Sequence, residues 1–155
     1  MKLRALLDTT YFLPAIGIGI KNLPTDIPIR LMKKGYQISI SSITIFELSA
    51  KGAKYVASGR IPSEKVMRGI RALVYNENID IVESHDSSIL HTAFKIRKSL
   101  CDFIDCLILS SAINHCDLLL TEDADLHNIR AGKEYHEITT AKNPDFKIFS
   151  AKDLI

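Results

Sequence analysis

The sequence predicts an α/β protein, a mostly parallel sheet of about five strands with helices on both faces. Three observations carry this reading. Short apolar or β-branched runs alternate with longer helical patterns along the chain, as strand–helix–strand units require. The composition, 46% hydrophobic and 25% charged, is that of an ordinary globular domain. A chain of 155 residues can bury roughly 68–70% of its unfolded surface, so it needs no disulfide or metal to build a core. No internal repeat, low-complexity tract or Gly/Ser/Pro-rich linker divides it, and residues 1–155 read as one domain.

The elements follow in order. Residues 3–7 are apolar apart from Arg4 and end on Asp8, the pattern of a strand buried on both faces. Gly17-Ile18-Gly19 reads as a flexible loop. It lacks the third glycine of a dinucleotide fingerprint, and no Gly-Lys-Ser/Thr occurs, which argues against nucleotide binding. The apolar stretch 13–20 suits either a subunit interface or the core. Residues 26–34 place Ile27, Leu31 and Met32 on a helix, and Gln37–Ser41 is the second strand. A helix over 43–56 follows Ser41-Ser42, which can cap it. Residues 62–75 open on Pro-Ser-Glu and carry Val66, Ile70, Leu73 and Val74 at helical spacing. Ile79–Val82 is the third strand. Helices follow over 86–98, opening on a capping Asp86, and over Phe103–His115. Leu118–Leu120 is the fourth strand, followed by a short helical turn and a short last strand, Lys147–Phe149.

The longest apolar run, 12–20, has nine residues, whereas a membrane span needs about 20. Asp8 interrupts the apolar N-terminus and no small-residue cleavage site follows, so export is not expected. Cys101, Cys106 and Cys116 lack zinc-ligand spacing and read as thiols in a reducing cytoplasm. None of the five histidines lies four residues from another, which excludes a helical two-His metal site. The net charge of +2 conceals an asymmetry: residues 21–75 carry +7 and residues 76–131 carry −6.

Open parallel sheets bind ligands beyond the carboxyl ends of their strands. Asp8 closes the first strand, and Asp123 lies just past the fourth. Glu47 lies one turn into the helix after the second strand, between Phe46 and Leu48. Asp102 and Asp105 bracket the start of the helix before the fourth strand, three residues apart and so on one face. Taken singly, Asp102 or Asp105 can be a helix cap, and Asp8 or Asp123 a turn residue. Glu47 has no capping role. A charge in an apolar run is costly to bury unless it is paired or binds a cation. Several carboxylates held together raise one another's pKa, and a hard divalent cation with oxygen ligands relieves both costs. Jointly, the five acids favour a cation site.

The residues that carry these acids resemble a known family. Leu7-Asp8-Thr9-Thr10, then Ser42-x-Thr44-x-x-Glu47-Leu48, then Asp102-x-x-Asp105-x-Leu107-Ile108-Leu109-x-x-Ala112, then Leu119-Leu120-Thr121-x-Asp123-x-Asp125-Leu126 look like the four motifs of PIN domains, in their order and approximate spacing. The resemblance implies a three-layer α/β/α sandwich and a metal-dependent nuclease, usually an endoribonuclease, using Mg²⁺ or Mn²⁺. Many small members are VapBC-type toxins with an antitoxin partner, and many are homodimers. Asp8, Glu47, Asp105 and Asp123 match the four catalytic acids. Thr9, Thr121, Asp102 and Asp125 match supporting positions.

On this reading Asp8, Asp105 and Asp123 hold the metal, and Glu47 orients the attacking water. Thr9 and Thr121 fix carboxylates. Lys51, Lys54, Arg68 and Arg71, from the basic part of the chain, are the candidate grip on the RNA backbone. Two other classes compete. A haloacid-dehalogenase-like phosphatase would need a second Asp two residues after Asp8, where the chain has Thr10. A non-catalytic nucleic-acid-binding or scaffold member of the same fold would not depend on the acids for turnover.

Overall fold

Alternate residues of the first strand, β1 (Arg4–Leu7), face two different apolar layers. Leu6 packs into one, and Ala5 and Leu7 into the other, all three fully buried. This two-residue period is what a strand buried on both faces requires. A computed structural model, which describes residues 1–155, completes the sheet with β2 (Gln37–Ser41), β3 (Ile79–Val82), β4 (Leu118–Leu120) and β5 (Lys147–Phe149). All pairings are parallel, in the order β3-β2-β1-β4-β5.

One layer holds α1 (Ile27–Lys33), α2 (Ser42–Ala57), α3 (Ser63–Val74) and the terminal turn α8 (Ala151–Leu154). The other holds α4 (Ser87–Ile96), α5 (Phe103–His115), α6 (Ala124–Asn128) and α7 (Lys133–Lys142). The chain builds outward from β1 to β3 with helices on one face. It then crosses back to β4 and β5 with helices on the other. Right-handed crossovers require a change of face when the direction of growth reverses. The result is the expected three-layer α/β/α sandwich, with the reversal beside β1.

Several helices begin where a side chain can satisfy their free N–H groups. Ser41 accepts from Ile43 at the start of α2, Asp86 from Ser88 at α4, and Asp102 from Ile104 and Asp105 at α5. In α5 eight residues are buried, which explains its nearly unbroken apolar sequence.

The structure departs from the sequence reading in three places. Directly after Asp8 the chain forms a 3₁₀ helix, Thr9–Ile16, that buries Tyr11, Phe12, Leu13 and Ile16. Gly17, at φ +94°, ends it. The apolar stretch 13–20 is therefore accounted for by core packing: Leu13 and Ile16 are buried, and Ile18 and Ile20 pack partly against the same layer. After β4 there is more than a short turn: α6, a second 3₁₀ turn and the ten-residue α7, which buries Tyr135, Ile138 and Thr139. The chain then ends on α8, closed by a capping box from Ser150 to Asp153.

Helix α3 crosses the first 3₁₀ helix so closely that a Cβ on Gly69 would stand 2.1 Å from the Ala15 carbonyl oxygen. Alanine is worth up to about 1 kcal/mol over glycine in a helix. Overpacking against backbone costs typically about 1–3 kcal/mol, so the clash should win. Gly69→Ala is expected to lower the melting temperature; a raised one would mean that the two segments part freely.

Candidate active site

The carboxyl ends of β1 and β4 lie side by side, with Leu7 paired to Leu120 and the Asp8 N–H donating to the Leu120 carbonyl at 3.0 Å. Here the strand order reverses, which is where open α/β sheets form their crevice. Asp8 leaves β1 into this crevice and is 8% exposed. Both of its oxygens are engaged. Oδ1 accepts the Thr9 backbone N–H at 2.7 Å, and Oδ2 accepts the Thr121 hydroxyl at 2.6 Å. Burial still prevails and raises the Asp8 pKa. The Thr121 and Thr9 bonds and the charge of Lys51 pull it down, while Asp123 pushes it up.

Glu47 reaches the site from α2. The Thr9 hydroxyl donates to Oε1 at 2.5 Å and lies 3.1 Å from the Thr44 hydroxyl oxygen. One hydroxyl proton cannot serve both partners, so the carboxylate takes it and Thr44 is the donor of the hydroxyl pair. Burial raises the Glu47 pKa, the Thr9 bond lowers it, Asp8 raises it, Lys51 lowers it and Asp102 raises it. Of the two residues that flank Glu47, Phe46 is 63% exposed and turns to solvent, whereas Leu48 faces the core.

Asp105 lies on the first turn of α5. Its carboxyl is pushed up to about 7, first by burial and then by Asp102, Asp123, Asp8 and Glu47. Its strongest charged neighbours are thus all carboxylates. Asp123 caps α6, accepting from Asp125 N–H at 2.8 Å and Leu126 N–H at 3.2 Å. Its own N–H donates to Thr121 Oγ1 at 3.1 Å. Thr121, fully buried, therefore ties the Asp123 backbone to the Asp8 carboxylate.

Asp8, Glu47, Asp105 and Asp123, from four separate segments, are within electrostatic reach of one another. Asp102 acts on this group from its exposed position as the cap of α5. Asp125 does not join it: it is exposed, and its hydrogen bonds run through its backbone, not its carboxylate. Lys51, one turn beyond Glu47, is the basic residue whose charge the site feels. Lys54, Arg68 and Arg71 are exposed on α2 and α3, which meet where Gly52 abuts Val66.

The donor set is all carboxylate oxygen, which suits Mg²⁺ or Mn²⁺. Yet no group of three or more Asp, Glu, His or Cys side chains is drawn together closely enough to hold an ion. Asp8 and Asp123 are engaged by hydroxyl and backbone donors, bonds that orient their carboxylates while leaving acceptor capacity free. The charge balance fits a cation, while the rotamers shown do not present a finished site.

Three neighbours received no role in the sequence reading, Thr44 being named there only as part of the second motif. Thr44, fully buried, supports Thr9; its position three residues before Glu47, on the same helix face, was the available signal. His127 Nε2 lies 2.8 Å from the Thr121 carbonyl oxygen. Glu122 accepts both the Tyr11 phenol and the Ala151 N–H, fastening the loop after β4 to the C-terminal segment. Nothing in spacing marks either of these two.

The PIN domain family model matches residues 5–132. Among solved structures the fold is similar to a chain of the VapBC2 complex from Rickettsia felis, which was crystallised bound to a DNA fragment from its promoter. The TM-score is 0.62 at 18% identity, covering 96% of this chain and 98% of that one. No curated protein matches the sequence significantly.

Proposed function

The chain belongs to the PIN domain family, and from that premise we propose that it is a metal-dependent endoribonuclease, the toxin of a VapBC-type toxin–antitoxin pair. The observation that carries this reading is the convergence of Asp8, Glu47, Asp105 and Asp123 from four separate segments at the switch point of the sheet, where burial and each of the other carboxylates raise the pKa of Asp105. Such a charge arrangement is costly unless a cation joins it. The toxin assignment draws on the likeness to the VapBC2 chain together with the resemblance of the four acidic motifs. The three free cysteines suit a reducing cytoplasm, and no helix is long and apolar enough to cross a membrane. Residues 1–155 would act as one domain, as a homodimer, with an antitoxin covering the toxin.

Asp8, Asp105 and Asp123 would hold Mg²⁺ or Mn²⁺. The ion would supply charge neutralisation at the scissile phosphate and activation of water. Glu47, whose Oε1 is anchored by Thr9, has Oε2 left to orient the attacking water and accept its proton. Its raised pKa makes it a better base than an exposed glutamate. Thr9 and Thr121 keep two carboxylates in fixed orientation. Lys51, Lys54, Arg68 and Arg71 would bind the flanking phosphates without reading sequence.

The test is cleavage of single-stranded RNA by rigorously purified protein with Mn²⁺, with Mg²⁺ and with EDTA. Metal-dependent internal cuts are expected. Their absence, together with no Mn²⁺-dependent rise in melting temperature, would favour the competing reading, a scaffold of the same fold. Lys51→Ala combined with Lys54→Ala should weaken RNA binding and flatten its dependence on salt, since each phosphate contact contributes about 0.7 to the slope for single strands. An unchanged slope would remove these lysines from the RNA path.

A further inference from the structure

Beside the carboxylates, between the loop that leads into α5 and the segment around α6, lies a hollow of about 300 Å³. That is the lower end of the roughly 300–1,000 Å³ of small-molecule sites. Its floor is apolar, made by Leu100 and Ile129, which are buried. Its rim carries Asp125 and Asn128, three residues apart and so on one face of α6. The Asp125 carboxylate has no hydrogen-bond donor, and the Asn128 side chain makes no capping bond. Ser99, also on the rim, is committed to Glu134 at 2.9 Å. The hollow adjoins the acids twice: Cys101 in its wall precedes Asp102, and Asp125 follows Asp123 by two residues.

An apolar floor below an unengaged carboxylate and amide suits a flat heterocycle that donates N–H groups along one edge. A carboxylate can only accept. Adenine and cytosine offer it one exocyclic amine each, and uracil one ring N–H. Guanine alone presents a ring N–H beside an exocyclic amine on its pairing edge, which matches both carboxylate oxygens. Unstacked bases of single strands are read on that edge. We propose that this hollow is a base-reading subsite for a guanine of the RNA strand, with Asp125 as the specificity-determining acceptor and Asn128 as its second polar contact. The proposal rests on the ribonuclease reading for the identity of the strand, and gives Asp125 a role apart from the metal.

Cys101 supplies a readout that needs no turnover. It is the exposed cysteine; Cys106 and Cys116 are buried, with thiols pushed up to about 11. Alkylation of the full-length protein in EDTA therefore reports Cys101. Guanosine monophosphate should protect it at concentrations about tenfold or more below those needed for adenosine, cytidine or uridine monophosphate. Inosine monophosphate lacks the exocyclic amine. It should protect about tenfold more weakly than the guanine nucleotide, the loss of one hydrogen bond to a charged group. Asp125→Asn should abolish the guanine–inosine difference, with protection measured in each protein against its own alkylation rate without nucleotide. Equal protection by all nucleotides, protection by none, or a guanine preference that survives in Asp125→Asn would overturn the proposal. If the variant misfolds, the guanine–inosine comparison on the native chain still decides. Failure of the nuclease reading shows separately, as absence of Mn²⁺-dependent cleavage beside intact guanine protection.

Discussion

Glu47→Gln should lower Mn²⁺-dependent RNA cleavage by about 10²–10⁴-fold, the range over which general-base catalysis contributes, while the metal-free protein melts no lower than the native chain. The two halves of this expectation have one cause. Glutamine keeps the side-chain oxygen that accepts the Thr9 hydroxyl, so the Thr9–Thr44 network that holds the end of α2 survives. It removes a half-buried negative charge that faces Asp8 and Asp105 and is only partly offset by Lys51. Repulsion falls and stability is kept or gained, but the proton acceptor is gone. A lowered melting temperature together with lost activity would instead mark Glu47 as a structural residue. Undiminished cleavage would remove it from the chemistry altogether. Measuring activity and melting on the same preparation separates the three outcomes.

That exchange of stability for charge also explains what could be read in the sequence. Four of the five strands are legible to the residue because their β-branched and apolar runs are bounded by polar turns; Leu118–Leu120, buried throughout, is one of these. Helices with a side-chain cap were also easy to place, as at Asp86 and Asp102. Helix α7 was not, because Lys-Glu-Tyr-His-Glu-Ile-Thr-Thr offers only Tyr135 and Ile138 as a buried pair, too few to set a helical period. The 3₁₀ helix after Asp8 was hidden for a different reason. Its apolar residues are continuous, contain Pro14, and show no periodicity to distinguish loop from turn.

The acids themselves were legible as strand-end and helix-start residues. Their hydrogen-bond partners were less so, because partners come from distant segments. Thr121 meets Asp8 across 113 positions, and Tyr11 meets Glu122 across 111. Spacing along one helix reveals only neighbours such as Thr44 and Glu47. The burial of Glu47 was expected from its apolar flanks, but Phe46 turned out to face solvent, since sequence adjacency does not say which side of a helix a residue takes.

Asp105→Asn should raise the melting temperature of the metal-free protein at pH 8 and remove most of the stabilisation that Mn²⁺ gives the native chain. Asp105 has its carboxyl moved from 3.8 to about 7. Because the folded pKa lies above the unfolded one, both states hold the proton below about pH 3.8 and there is no penalty. Between about pH 4 and 7 the folded state binds more protons, so stability falls as pH rises; above 7 the penalty is complete. A displacement from 3.8 to about 7 sets a ceiling of about 4 kcal/mol. Solvent reaches a half-buried group, and screening brings the expectation to roughly 1–2 kcal/mol. For a chain of this length that corresponds to about 2–8 °C. The gain should therefore be present at pH 8 and shrink toward zero near pH 4. It should also be absent when the native protein is saturated with Mn²⁺, since a ligand that binds only the folded state stabilises it by mass action. A gain of equal size at both pH values would mean that asparagine merely packs better. An undiminished Mn²⁺ response in Asp105→Asn would move the cation away from α5 and leave Asp8 and Asp123 to hold it.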